Sequence, residues 1–132
     1  RNPMDSCFAS FKQLFADAYL HSYEQAEMAR HYLRYHALMR AWCDRLPQRI
    51  IEVGYETLVA DIEPQSRRLI AALGLPWEDA CLQFHRQPHA VATASAVQVR
   101  EPAHTRSVGR WQRYETQLEP MRAVLQQGGL DV

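Results

Sequence analysis

Arg49-Ile50-Ile51-Glu52-Val53-Gly54-Tyr55-Glu56 is a short apolar run in which Ile50, Ile51 and Val53 are β-branched. That composition predicts a strand from Ile50 to Tyr55, buried on both faces as in a parallel sheet. One strand cannot satisfy its own backbone groups, so this reading also demands a partner strand.

The flanking sequence reads as helix. Pro3 suits a first helical turn, Asp5 complements the positive end of a helix, and Phe8, Phe11, Leu14, Phe15 and Ala18 recur at helical spacing. Ser22-Tyr23-Glu24-Gln25 reads as a capping box opening a second helix, whose apolar positions run from Ala26 to Cys43, before Pro47. Its aromatic and Met positions are expected in the core. Beyond the strand, Pro64 opens a helix containing Leu69, Ile70, Ala72 and Leu73, with Gly74 and Pro76 as its stop. Glu78 to His85 reads as a further short helix. Pro120 starts a last one through Met121, Val124 and Leu125, ended by Gly128-Gly129. Five or more helices and one strand are the expected content.

The chain has 132 residues, 47% hydrophobic, which fits one domain with a real core. Zero formal net charge argues against a nucleic-acid-binding domain, whose footprint is usually basic. Lys12 is the only lysine among fifteen cationic residues. A high-GC bacterial codon bias explains that, and so does a preference for anions. Cys7, Cys43 and Cys81 are odd in number and widely spaced, so free buried thiols in a cytoplasmic protein are expected. There is no long apolar run and no signal-peptide pattern, so no membrane partner is expected. His31 and His36, five apart, do not share a helical face, and His21 stands alone. Cys81, His85 and His89 are spaced like ligands, but Pro88 interrupts their register and no fourth ligand is apparent. No metal is expected.

The stretch from Ser95 through Arg100-Glu101-Pro102 to Ser107-Val108-Gly109-Arg110-Trp111 places Arg100, Arg106 and Arg110 within eleven residues, with hydroxyls between them. Guanidinium forks bind phosphate in two-point geometry, so this reads either as an anion-binding loop or as a solvated surface loop.

Three segments resemble one family. They are Arg1-Asn2-Pro3-Met4-Asp5, then Tyr55-Glu56 followed by Leu58-Val59, and Ser95 to Trp111 with Tyr114-Glu115 beyond it. The chain is similar, from Arg1 to about Leu118, to sulfotransferases that use 3′-phosphoadenosine 5′-phosphosulfate. The nearest branch is that of bacterial sulfotransferases associated with tetratricopeptide repeats, with the tyrosylprotein sulfotransferases as more distant relatives. The resemblance implies an α/β, P-loop-like fold with a parallel sheet in the parent. This segment, residues 1–132, would be the mostly α-helical C-terminal portion of the domain with one clear strand. The glycine-rich loop that grips the 5′-phosphosulfate, and the general base, would precede Arg1. No such loop occurs here.

By that resemblance, Arg1, Ser95 and Arg110 would reach the 3′-phosphate of the nucleotide. Tyr55 would hydrogen-bond a phosphate or pack on adenine, or else simply hold the loop after the strand. No catalytic residue is assigned. The implied partner is a sulfo-acceptor bearing a hydroxyl or amine, whether peptide, carbohydrate or small molecule, and a homodimer is a further expectation. Two positions depart from the family pattern. Ala9 stands where a serine is usual, with Ser6 and Ser10 nearby, and Gly54 stands where an arginine is usual. These departures favour the alternative reading, a catalytically inactive helical interaction module derived from the same scaffold.

Overall fold

The computed structural model describes residues 1–86 and 100–132. The chain divides into two compact units. One is formed by Arg1–Ile50 and Ser107–Val132, the other by Ile51–Arg106.

Helix α1, Pro3–Phe11, opens the first unit. Asn2 caps it, its side chain accepting from the Asp5 N–H at 3.1 Å, and Pro3 occupies the first turn, where a missing N–H costs nothing. The expected continuation through Ala18 does not form. Ala16 has a positive φ of 49°, and the Tyr23 hydroxyl accepts from the Phe15 N–H and donates to the Ala16 carbonyl. One side chain thus satisfies backbone groups that a longer helix would have paired internally.

A 3-10 turn, Leu20–Tyr23, leads into α2, Gln25–Arg45. The cap of α2 is Glu24 rather than Ser22. Its carboxylate accepts from the Ala26 N–H at 2.9 Å and the Glu27 N–H at 2.7 Å. Those two bonds hold its own carboxyl below the usual carboxylate range. Ser22 is buried, and its hydroxyl donates to the Tyr19 carbonyl. The second unit then intervenes, and the chain re-enters the first at Ser107, ahead of α5, Glu119–Gln127.

These three helices share one core. Met4 and Cys7 of α1, Met28 and Ala29 of α2, and Met121 and Leu125 of α5 are buried together with Trp111 and Leu118. In each helix the buried set follows the three-and-four spacing that puts residues on one face, extended by Phe8 and Phe11, Tyr32 and Leu33, and Val124. Burial pushes the Cys7 thiol up to about 12, so this cysteine behaves as a small apolar residue. Cys43 and Cys81 are free thiols that are only half-buried, short of the burial expected for them.

The end of α5 needs both its glycines. Gly129 takes φ 84°, and its N–H and that of Leu130 bond back to the Gln126 and Leu125 carbonyls, closing the helix. Gly128 lies so close to Leu33 of α2 that an added Cβ would overlap both of its methyl groups.

The second unit contains α3, Tyr55–Ala60, and α4, Ile62–Ala72, followed by a 3-10 segment, Asp79–Arg86, interrupted at Gln83. Gly74 ends α4 as expected: its N–H bonds to the Ala71 carbonyl, and the Leu75 N–H bonds to the Ile70 carbonyl. Arg67 pairs with Glu63 and lies over the Trp77 ring at 4.1 Å.

The expected strand is absent. Among the described residues there is no strand and no sheet, so the α/β class and the one clear strand give way to a helical architecture. Ile51 is exposed, Ile50 and Val53 are half-buried, and Tyr55 begins α3. Gly54 does keep extended dihedral angles, φ −70° and ψ 119°, but it uses them to cap α3, and its carbonyl accepts from the Leu58 N–H at 2.9 Å. β-branched residues favour extended backbone, whereas a strand also requires a neighbour to bond to, and none is supplied among the described residues.

Candidate functional site

The first unit must hold its two sequence segments together where the chain re-enters at Ser107. Asp5 does this. It is buried, and its two carboxylate oxygens accept separately from the Gly109 N–H at 2.6 Å and the Trp111 N–H at 3.2 Å. A carboxylate suits this position because it is acceptor-only and faces two donors. Gly109 takes φ 67°, and the Arg110–Tyr114 3-10 segment starts directly after it. Arg110 is therefore carried on a backbone turn that is bolted to the first turn of α1.

Arg1 lies immediately ahead of that turn. Its guanidinium donates to the Ser107 carbonyl at 2.9 Å, and its own carbonyl accepts from the Tyr32 hydroxyl at 3.4 Å. Both arginines thus border the start of α1, one through its own position and one through the Asp5 clamp.

Lys12 joins them. Its pKa is lowered first by partial burial and then by the charges of Arg110 and Arg1. Lys12 is exposed by surface area. Arg1 and Arg110 border the start of α1 and Lys12 follows its last residue, close enough for both arginine charges to be felt at its ammonium. The Lys12 ammonium lies 5.6 Å from the centre of the Phe8 ring, and Phe8 packs on Tyr114 at 5.1 Å. Like charges along one helix are a favourable setting for a multiply charged anion.

Arg1 also lines a cleft of about 520 Å³. Ser6, Ala9 and Ser10 of α1 form one wall, and His31, Tyr32 and Tyr35 of α2 face it, with Tyr19, His21 and Ser22 between. Both serines near Ala9 therefore reach the Arg1 cleft, Ser6 one turn before Ala9 and Ser10 beside it. His21, read in sequence as solitary, stacks on His31 with ring centres 3.8 Å apart and planes tilted by 14°.

The four residues singled out in the sequence fare differently. Arg1 and Arg110 are brought to the same end of the first unit. Tyr55 belongs to the second unit, where it opens α3. Ser95 lies outside the described residues, as does His89 of the suspected ligand set. Arg106 pairs with Glu101. Among the described residues no three His, Cys, Asp or Glu side chains gather as a metal site, and no helix is long and apolar enough to cross a membrane. Lys12 and the His21–His31 pair were missed from sequence. The isolation of Lys12 as the sole lysine was the one available signal, and nothing in the spacing of the histidines announced their contact.

A family model described as the sulfotransferase family matches residues 1–79. That range includes Arg1, Asp5, Lys12, both stacked histidines and Tyr55, and stops short of Arg110. An uncharacterized protein of Aquifex aeolicus (strain VF5) is 34% identical over 131 residues, which is 97% of this chain and 17% of that protein. The chain thus spans only a small part of that relative's length. No solved structure matches it.

Proposed function

We propose a nucleotide-holding role in sulfuryl transfer for this chain, which belongs to the sulfotransferase family. In this reading the donor is 3′-phosphoadenosine 5′-phosphosulfate, and Arg1, Arg110 and Lys12 hold its 3′-phosphate. The observation that carries the proposal is the placement of Arg1 and of the Arg110 turn beside the start of α1, the turn fixed there by Asp5 across 104 residues of sequence. A phosphate monoester brings close to two negative charges and several acceptor oxygens, which fits a cluster of two forked guanidiniums and one ammonium. Ser6 and Ser10 add hydroxyl donors along the same cleft as Arg1. Tyr55 and Ser95 are carried as further nucleotide contacts on the family resemblance alone.

The donor supplies an activated sulfuryl group, which moves to a hydroxyl or amine of an acceptor. The task of this chain's residues is to bind and orient the remote phosphate, so that binding energy far from the reacting sulfur positions it. A catalytically inactive helical module would have no need of two arginines held beside the same helix start, so their placement favours the nucleotide-binding reading.

Calorimetric titration tests this. Adenosine 3′,5′-bisphosphate is expected to bind the protein at least about tenfold more tightly than adenosine 5′-monophosphate, because each charge-assisted hydrogen bond contributes roughly 1.5–3 kcal/mol. The difference should shrink as salt is raised. Equal affinity for the two nucleotides would overturn the proposal.

A further inference from the structure

The stacked imidazoles of His21 and His31 share their cleft with Arg1, and the phosphate role proposed above leaves them unused. We propose that this pair is a proton-linked element of the anion site: a phosphate held at Arg1 draws a proton onto the His21–His31 stack. Binding at this site is thereby strengthened in mildly acidic solution. The inference rests on the phosphate reading of Arg1 and deepens it.

The geometry supplies the argument. Two nearly parallel rings 3.8 Å apart stack comfortably when both are neutral or when one carries a proton, but two imidazolium rings in that position repel. The groups around them are mainly cationic or neutral. Arg1 lines the cleft ahead of α1, and α1 itself contributes only Ser6, Ala9 and Ser10. Tyr19 meets His21 edge-on at 5.8 Å. On α2, Tyr35 lies one turn after His31 and lines the cleft, while Arg34 adds a positive charge. Glu27, one turn before His31, is engaged by Arg30. Partial burial, then His21, then Arg34 accordingly keep the His31 pKa below the ordinary histidine value. In the unliganded protein His31 therefore gives up its proton more readily than an ordinary histidine. A dianion arriving in the cleft reverses the sign of the local field and favours the protonated stack. By linkage, whatever raises the proton affinity of the pair is itself bound more tightly when the pair is protonated.

The imidazole proton resonances of His21 and His31 report this directly. Titrated from pH 5 to pH 8 with and without adenosine 3′,5′-bisphosphate, at least one of the two is expected to titrate about 0.5–1 pH unit higher in the complex. His36, which packs on Tyr32 and does not line the cleft, is the internal control and should not move. The same shift predicts a three- to tenfold affinity gain at pH 5.5 over pH 8 relative to His21→Phe/His31→Phe, which keeps aromatic rings but binds no proton. Comparing the two proteins cancels the titration of the phosphate itself. Tight binding with unchanged histidine titrations, or with the same pH profile in the double variant, would overturn this inference and leave the phosphate reading intact. An absence of binding at every pH would overturn both.

Discussion

Asp5→Ala is expected to lower the stability of the first unit by about 2–5 kcal/mol, seen as a fall in the urea midpoint. The variant leaves the buried Trp111 N–H and the part-buried Gly109 N–H without an acceptor, and a buried group so stranded costs roughly 1–3 kcal/mol. It also frees the point at which the chain re-enters the unit, so Trp111 and α5 lose their fixed approach to α1. Asp5→Asn is the sharper variant. It keeps size and shape, but its amide offers one acceptor and one donor where the protein presents two donors. It should destabilise too, by less than the alanine variant. A midpoint unchanged in both variants would show that the clamp contributes nothing to the fold.

Arg110→Ala is expected to weaken binding of adenosine 3′,5′-bisphosphate by on the order of 10- to 150-fold, the range for losing one charge-assisted contact of roughly 1.5–3 kcal/mol. Adenosine 5′-monophosphate, which lacks the 3′-phosphate, should bind no differently. Arg110→Lys should recover part of the loss, since the charge survives and the two-point fork does not. Lys12→Ala should cost less than Arg110→Ala, because a single flexible ammonium is replaced more easily by water. Arg106→Ala is the control: its guanidinium is engaged with Glu101 in the second unit. Equal losses for both nucleotides would mean that Arg110 acts through folding rather than through the phosphate.

Which parts of this were legible in sequence follows from which interactions are local. The stop at Gly74 and the last helix were readable because turn chemistry and helical spacing act within a few residues. The apolar faces of α1, α2 and α5 were readable only in part, since Leu14, Tyr35 and Trp42, expected on them, are exposed. The start of α2 was displaced by two residues. Ser22 matches a capping pattern, but Glu24 can bond the Ala26 and Glu27 N–H groups itself, and nothing in the pattern ranks the two. The strand was misread because Ile50, Ile51 and Val53 report only a local preference for extended backbone, and pairing is a property of the whole chain.

The site shows the same division. Arg1 and Arg110 were picked out by resemblance, and the structure adds what spacing cannot give. Asp5 looked like a residue complementing a helix end, whereas it binds a loop more than a hundred residues away. His21 and His31 looked unrelated because the turn that stacks them, Leu20–Tyr23, is too short to announce itself in sequence. The Ala9 departure matters less than it first appears, since Ser6 and Ser10 both line the cleft that Ala9 shares.

The central claim is that one phosphate is held by Arg1 and Arg110 beside the start of α1. A crystal structure of the protein with adenosine 3′,5′-bisphosphate tests it most directly. The account predicts the 3′-phosphate within hydrogen-bonding distance of both guanidinium groups, with the Asp5 bonds to Gly109 and Trp111 intact. A nucleotide bound with its 3′-phosphate in solvent, or held by residues away from Arg1 and Arg110, would contradict it.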